Sequence, residues 1–261
     1  MTPAASRRSV LSGLLAVTAT AGLSTMIPAP AQAQDARGIL KAAFDNWRAS
    51  SSHAVLEMTI KRASSTRRMT LESWTQGEDR ALVRFTAPAR DAGNATLQLK
   101  NSTYVFNPKL NQVIKLPASA MMQSWMGSDF SYEDLSRSEK VVDDYTHKLI
   151  GTKTIGGKKV HVIESVPKPK VPVVWGKQVL SVRSDGVLHS IEYYDQLGKR
   201  VRIMTADKIS ILGGRPYPTV MTMKTDAKPG QYTRVTTKSA EFNISVPSYL
   251  FTRSNLENPR D

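Results

Sequence analysis

The sequence predicts a mainly β protein: a meander of ten or eleven antiparallel strands, led by one helix and interrupted midway by an irregular apolar insertion. Three observations carry this. Apolar residues recur at every second position in many short runs, the period of half-buried strands. Turn-forming dipeptides stand between those runs at the spacing of a meander. One segment, between the run ending near Leu116 and the run starting near Val141, obeys neither period over about two dozen residues.

The chain opens on a segment that belongs to export rather than to the fold. Arg7 and Arg8 form a positive start, an apolar stretch runs from Val10 to Met26, and Ala31-Gln32-Ala33 supplies a small-residue cleavage pattern. The stretch is too rich in Ala, Thr, Ser and Gly for a good spanning helix. Residues 1–33 are therefore expected to be a cleaved signal peptide. "SRRSVLS" (Ser6 to Ser12) resembles the twin-arginine export motif, so the signal is of either the ordinary or the twin-arginine type. Residues 34–261 are expected to form a single domain, since all-β domains reach this size. The chain contains no cysteine, so no disulfide and no lipid-anchoring cysteine is available. The product is expected to be periplasmic and not lipid-anchored.

Asp35 to Ala49 reads as an amphipathic helix, with Ile39, Leu40, Ala43, Phe44 and Trp47 at three- and four-residue spacing and Asp35 at its start. Phe44 and Trp47 are expected to pack on the sheet. Thereafter the period is two. Ala54, Leu56, Met58 and Ile60 alternate with their neighbours, as do Val83 with Phe85, and Ala95, Leu97 and Leu99. Val160 with Val162, Val187 with Ile191, Val201 with Ile203, and Met221 with Met223 continue the pattern. Gly77-Glu78-Asp79, Asn107-Pro108, Gly156-Gly157, Asp185-Gly186, Leu197-Gly198, Gly213-Gly214 and Pro229-Gly230 punctuate it. Asp185-Gly186 is the strongest hairpin signal, of the type whose two central residues both take positive φ.

The insertion holds "MMQSWMGSDFSYEDLS" (Met121 to Ser136), opened by Pro117. A helix is expected over Ala118 to Met126 and a second short one over Ser131 to Arg137. A further irregular piece, Val166 to Gly176, contains three prolines and Trp175, which excludes a central strand there.

The composition restricts function. The formal charge is +14, and without Arg7 and Arg8 it is +12. Such a balance favours anionic surfaces. The basic residues are scattered, and export argues against nucleic acid as a partner. His53, His147, His161 and His189 lie in separate strands with no second His or Cys at ligand spacing, so no metal and no cofactor is expected. "GSDF" (Gly127 to Phe130) resembles the GDSL serine-hydrolase motif with Ser and Asp exchanged, and "DYTH" (Asp144 to His147) resembles its later D-x-x-H. Ser128 and Asp144 stand only 16 residues apart in a chain that reads antiparallel, so Ser128 is not expected to be catalytic. The carboxylate pairs Glu133-Asp134 and Asp143-Asp144 read as loop and helix-end solvation. No nucleophile, base and oxyanion site come together, and no catalytic residue is assigned.

Methionine is flexible and polarizable, and it is over-used where a surface accepts varied apolar shapes. Met121, Met122, Trp125, Met126 and Phe130 therefore form either a mobile flap over the mouth of a curved sheet or an ordinary core plug. Gly127 beside Ser128 would serve the flap as a hinge.

The order of signal peptide, amphipathic helix, long meander and helical insertion resembles the LolA-like periplasmic lipoprotein and lipid carriers. "QSWMGSDFSYEDL" (Gln123 to Leu135) and "YVFNPKLNQVIKLP" (Tyr104 to Pro117) resemble segments of the outer membrane lipoprotein-sorting branch. The resemblance implies a half-open antiparallel β-barrel whose apolar hollow, covered by helices, holds acyl chains in transit towards the outer membrane. Each buried methylene contributes ~0.8 kcal/mol, so exposing whole acyl chains would cost on the order of tens of kcal/mol. It also implies a non-enzymatic monomer, transient membrane contact, an inner-membrane transporter as donor and an outer-membrane acceptor. The expected cavity and lid residues are Trp74, Val83, Phe85, Leu97, Leu99, Tyr104, Phe106, Met121, Met122, Trp125, Met126 and Phe130, with Leu82 in the core. The choice of strand face is open, because a slip of one residue exchanges every side chain. Arg80 or Arg84 would hydrogen-bond lid carbonyls. The alternative is a lipid- or lipoprotein-sensing regulatory or scaffold β-domain acting through a protein partner.

Overall fold

The computed structural model describes residues 29–137, 140–171 and 173–260. The expected signal segment lies outside the described residues up to residue 28. Helix α1 spans Ala29–Arg48 and so begins ahead of the expected Asp35, with Pro30 in the first turn, where a missing N–H is tolerated. Its buried stripe is Ala36, Leu40, Ala43 and Phe44, with Ile39 and Trp47 partly buried beside it.

Thirteen strands follow, β1 (Ser51–Lys61), β2 (Thr66–Gln76), β3 (Arg80–Ala87), β4 (Ala95–Leu99), β5 (Ser102–Asn107), β6 (Gln112–Lys115), β7 (Tyr145–Ile155), β8 (Lys158–Pro167), β9 (Lys177–Arg183), β10 (Leu188–Tyr194), β11 (Arg200–Leu212), β12 (Arg215–Thr225) and β13 (Tyr232–Phe242). They form one antiparallel sheet in the order β6-β5-β4-β3-β2-β1-β13-β12-β11-β10-β9-β8-β7. The count exceeds the expected eleven because β2 and β13 are long in Thr, Arg and Ser and show little alternation.

The topology is two meanders joined where β1 pairs with β13, with Ser52 opposite Phe242 and Lys61 opposite Tyr232. The two edges of the sheet, β6 and β7, are therefore consecutive in the chain but unpaired, and the sheet is curled rather than closed. The insertion crosses between those edges. Its described residues include the 3-10 turns Ala118–Ala120 and Trp125–Gly127, then helices α2 (Tyr132–Arg137) and α3 (Val141–Asp144). The expected helix over Ala118 to Met126 does not form. Ser124 is extended, and Met126 and Gly127 take φ of 53° and 75°, which a right-handed helix cannot include. The expected short helix after Ser131 is present as α2.

The turns follow the sequence with one exception. Gly156-Gly157 and Gly213-Gly214 take positive φ at both positions, as a two-residue hairpin requires. At Asp185-Gly186 only Gly186 does so. Its N–H closes on the Arg183 carbonyl at 2.9 Å, and the Asp185 carboxylate pairs with the Arg183 guanidinium at 2.6 Å. A longer turn with one left-handed residue replaces the tight one expected there.

The sheet has two covered faces. On the inner face, α1 packs over β7–β12 onto Ile163, Leu180, Leu188, Ile191, Met204 and Met223, while the insertion packs over β1–β3 onto Met58, Ile60, Met69, Leu71 and Phe85. On the outer face, a C-terminal segment containing a 3-10 turn (Ser248–Phe251) and helix α4 (Arg253–Glu257) lays Val246, Phe251 and Leu256 against Leu82, Leu97 and Phe106. Among the described residues no helix is long and apolar enough to cross a membrane.

Candidate functional site

Between the inner face of β1–β5 and the insertion lies a cavity of about 240 Å³. Leu56 and Met58 of β1, Leu71 of β2, Val83 of β3, Val235 of β13 and Met221 of β12 form its floor and wall, and Trp125, Phe130 and Leu135 form its roof. Trp47, from the last turn of α1, closes one side. One end is polar: Ser52, Thr75, Gln98 and Thr103 stand in one row across β1–β5, and Ser73, Thr237, Arg48 and Asp134 add to the polar lining. Tyr217 also reaches the wall, and burial pushes its phenol up to about 12.

The roof is a compact knob. Trp125 is 5% exposed and packs on Phe85 with ring centroids 5.2 Å apart. Its indole N–H donates to Thr96 Oγ1 at 3.1 Å, which satisfies the polar handle of a buried tryptophan. Trp125 N–H donates to the Phe130 carbonyl at 2.8 Å, so the segment between them is a tight loop. Ser131 then starts α2 with a reciprocal cap: its N–H and hydroxyl both donate to Asp134 Oδ2, at 2.7 and 2.8 Å, and Asp134 N–H returns to Ser131 Oγ at 3.3 Å. Burial raises the Tyr132 phenol above its ordinary value.

Three arginines fasten this knob to the sheet. Arg62, just after β1, donates to the Gly127 carbonyl at 2.7 Å and to Asp129 Oδ2 at 3.0 Å. Arg67 of β2 donates to the Met126 carbonyl at 3.1 Å. Arg202 of β11 donates to the Asp129 carbonyl at 3.2 Å and binds Asp134 through both carboxylate oxygens, at 2.9 and 2.5 Å. The Asp129 side chain is almost fully buried and also accepts from Thr233 Oγ1 at 2.7 Å. Arg202 is held in place by Trp175 and Tyr193, whose ring centroids lie 4.5 and 4.4 Å from its guanidinium carbon. The piece expected to be irregular from Val166 to Gly176 begins within β8, which includes Val166 and Pro167, and its Trp175 supplies one wall of an arginine socket. Glycine and carboxylate positions in "MGSDFSYEDL" are anchoring points of the roof, a role that the residue types alone did not disclose.

The expectation that Arg80 or Arg84 bonds the roof carbonyls is not met. Arg84 donates to the Leu256 and Asn255 carbonyls at the end of α4, on the outer face, at 3.3 and 2.5 Å. Arg80 donates to Gln76 Oε1 at 2.9 Å.

The expected site residues divide by face. Val83, Trp125 and Phe130 line the cavity, and Phe85 and Met126 pack in the cluster directly behind it. Leu97 and Phe106 point outward and are buried under the C-terminal segment, as is Leu82, with Trp74 and Tyr104 partly buried beside them. Leu99 alternates onto the same outward face as Leu97. Met121 lines a neighbouring groove with Lys100 and Lys115, and Met122 is half-buried. The correction has a simple cause: β4 is buried on both faces, and its apolar alternation follows the outer cover while Thr96 and Gln98 face the cavity. An unassigned apolar tail, Val246, Leu250, Phe251 and Leu256, was the available signal that a second cover existed.

Ser128 is buried, with its Oγ accepting from Phe130 N–H at 3.1 Å. His147 lies elsewhere, bonded to Ser165 Oγ at 2.9 Å and the Val142 carbonyl at 3.1 Å. Ser128 and His147 thus have separate partners, and the roof serine serves a turn. Among the described residues no three His, Cys, Asp or Glu side chains gather at metal-binding distances.

The fold has close relatives among solved structures. A DUF1329 family protein from Desulfovibrio piger superposes with a TM-score of 0.78 at 20% identity, over 86% of this chain and 99% of the other. A putative outer membrane lipoprotein-sorting protein domain from Vibrio parahaemolyticus gives 0.75 at 24% identity, over 87% and 100%. A LolA superfamily protein from Nitrosomonas europaea gives 0.70 at 20% identity, over 84% and 98%. No curated protein matches the chain. A family model described as "-like: Uncharacterized protein" matches residues 77–258. The chain belongs to that family, and its fold is that of the LolA-like lipoprotein-sorting proteins.

Proposed function

We propose that the protein is a non-enzymatic carrier, exported to the periplasm, that shelters acyl chains of a lipid or lipoprotein in the cavity between β1–β5 and the roof. One observation carries this reading: an apolar hollow is closed by a Met- and aromatic-rich segment that packs on the sheet through Trp125 and Phe130 and is tied down by Arg62, Arg67 and Arg202. The hollow of about 240 Å³ is smaller than the ~300–1,000 Å³ of pockets that enclose drug-sized ligands. A whole acyl chain therefore needs the roof to lift. Met126 and Gly127, both at positive φ, give the roof its sharpest bend, and the arginine contacts hold it shut when the cavity is empty. A carrier of this kind takes its cargo from one membrane and yields it at another, so its hold must be reversible. A flexible roof supplies this by covering the chain when loaded and packing on Phe85 when empty.

The test is native mass spectrometry of the protein purified from the cells that make it, followed by organic extraction. A stoichiometric acyl species that is lost in Trp125→Asp is the expected result. A clean unliganded mass, together with no uptake of fluorescent fatty acid by the purified protein, would sink the proposal.

A further inference from the structure

Resting on the carrier reading, we infer that the polar end of the cavity is a neck subsite that selects an acyl chain joined through an amide to an acidic headgroup, with Gln98 Oε1 receiving the amide N–H.

Gln98 belongs to β4 and is 6% exposed. Its Nε2 donates to the Ser136 carbonyl at 2.7 Å. A carbonyl only accepts, so this contact fixes which end of the amide is which. The other end, Oε1, has no hydrogen-bond partner among the described residues. A buried acceptor left unsatisfied is costly, and such groups in native proteins mark a missing partner.

The position of Gln98 says what that partner is. It lines the apolar cavity and also a second space of about 230 Å³ between α1, the β2–β3 turn and α3, whose lining is of mixed charge, with Asp45, Glu78, Asp79 and Asp143 among Arg37, Lys41 and Lys100. Thr103 likewise joins the apolar cavity to a groove of about 290 Å³ beside β5 and β6. Among the described residues lining that groove are Lys100, Lys115 and Lys140, and none is acidic. Gln98 faces Thr103 across the β4–β5 pair, so the two side by side stand where the apolar cavity gives way to this basic groove. A ligand that spans the junction places its tail on Leu56, Met58 and Val83 and its head near the lysines. The atom at the junction must be a donor, since Oε1 only accepts. An ester has no donor there and an amide does. An N-acyl amphiphile with an acidic head meets the apolar cavity, the Gln98 acceptor and the basic groove at once; a neutral ester meets only the first.

The experiment measures affinities of the full-length mature protein for N-palmitoylglycine, for its ester counterpart O-palmitoylglycolic acid, and for methyl palmitate. The expected order is amide above ester by about tenfold, the net worth of one hydrogen bond. Gln98→Leu should bring amide and ester together, and Lys100→Glu with Lys115→Glu should weaken both acids while leaving methyl palmitate unchanged. Equal binding of amide and ester to the native protein, with methyl palmitate also bound, overturns the inference and leaves the carrier reading intact. Absence of binding by all three overturns the carrier reading and this inference with it. The amide–ester comparison uses the native protein, so it stands even where Gln98→Leu fails to fold.

Discussion

Arg202 on β11 and Asp134 on α2 form a bidentate ion pair, 2.9 and 2.5 Å, with both side chains at least nine-tenths buried. Their chain positions lie far apart, and the pair joins the roof of the cavity to the opposite half of the sheet. Breaking a buried pair by removing one partner costs about 3–5 kcal/mol, because the remaining charge stays desolvated. Arg202→Met is therefore expected to lower stability by about that amount in urea unfolding. Arg202→Lys should recover only part of it, since lysine lacks the planar fork and the stacking on Trp175 and Tyr193. An unfolding midpoint unchanged by Arg202→Met would show that the roof is held elsewhere.

The faces of β3 and β4 make separable predictions. Val83→Asp places a carboxylate in the cavity, so it should abolish fatty-acid uptake while the protein still folds. Leu97→Asp buries an unpaired charge in the fully covered outer cluster and should prevent folding. Far-ultraviolet circular dichroism and a fluorescent fatty-acid assay on both variants decide the matter. The reverse pattern would place the cavity on the other side of the sheet.

Trp125 gives a direct readout of the roof. It is buried against Phe85 and bonded to Thr96, so its emission in the empty protein should be blue-shifted and poorly quenched by iodide. Loading with acyl chains should alter that emission as the roof lifts. Trp47, Trp74 and Trp175 also emit, so the comparison uses a protein with phenylalanine at those positions. Trp125→Ala removes a large buried ring and should cost about 3–5 kcal/mol of stability. No change in Trp125 emission at saturating fatty acid would mean that the roof does not respond to ligand.

Acid weakens the helix-covered half. His147 is buried, and burial first, then the nearby Arg37 and Lys168 charges, lowers its pKa below 6.5; the Val142 carbonyl and Asp143 act the other way. The unfolded chain thus takes up this proton before the folded one does. The contribution is fully present above about pH 6.5 and declines as pH falls from there to the folded value. His189 is lowered in the same sense, again chiefly by burial. Melting temperature should therefore fall between pH 7.5 and pH 5, and His147→Gln should flatten that dependence. A dependence of equal slope in the variant would assign it to other groups.

The residues disclosed the architecture through periodicity. The 3.6-residue stripe of Leu40, Ala43 and Phe44 marked a helix that packs on the sheet, and the two-residue runs marked strands. Met121 to Ser136 stood out because it obeyed neither period, and Trp125 and Phe130 within it do roof the cavity. Arg62, Arg67 and Arg202 were not legible as a clamp, because they lie on three different strands or their ends and converge only when the sheet curls. Ion-pair partners far apart in the chain leave no local pattern.

By itself the sequence determined that this chain is a meander with a leading helix and an apolar interruption, because helices, strands and turns are each selected by residues a few positions apart. Only the tertiary structure decided which face of β4 looks into the hollow. Leu97 and Gln98 are both buried, one under the C-terminal segment and one beneath the roof. An alternating strand reports that its two faces differ, and which of them is inside depends on what covers each.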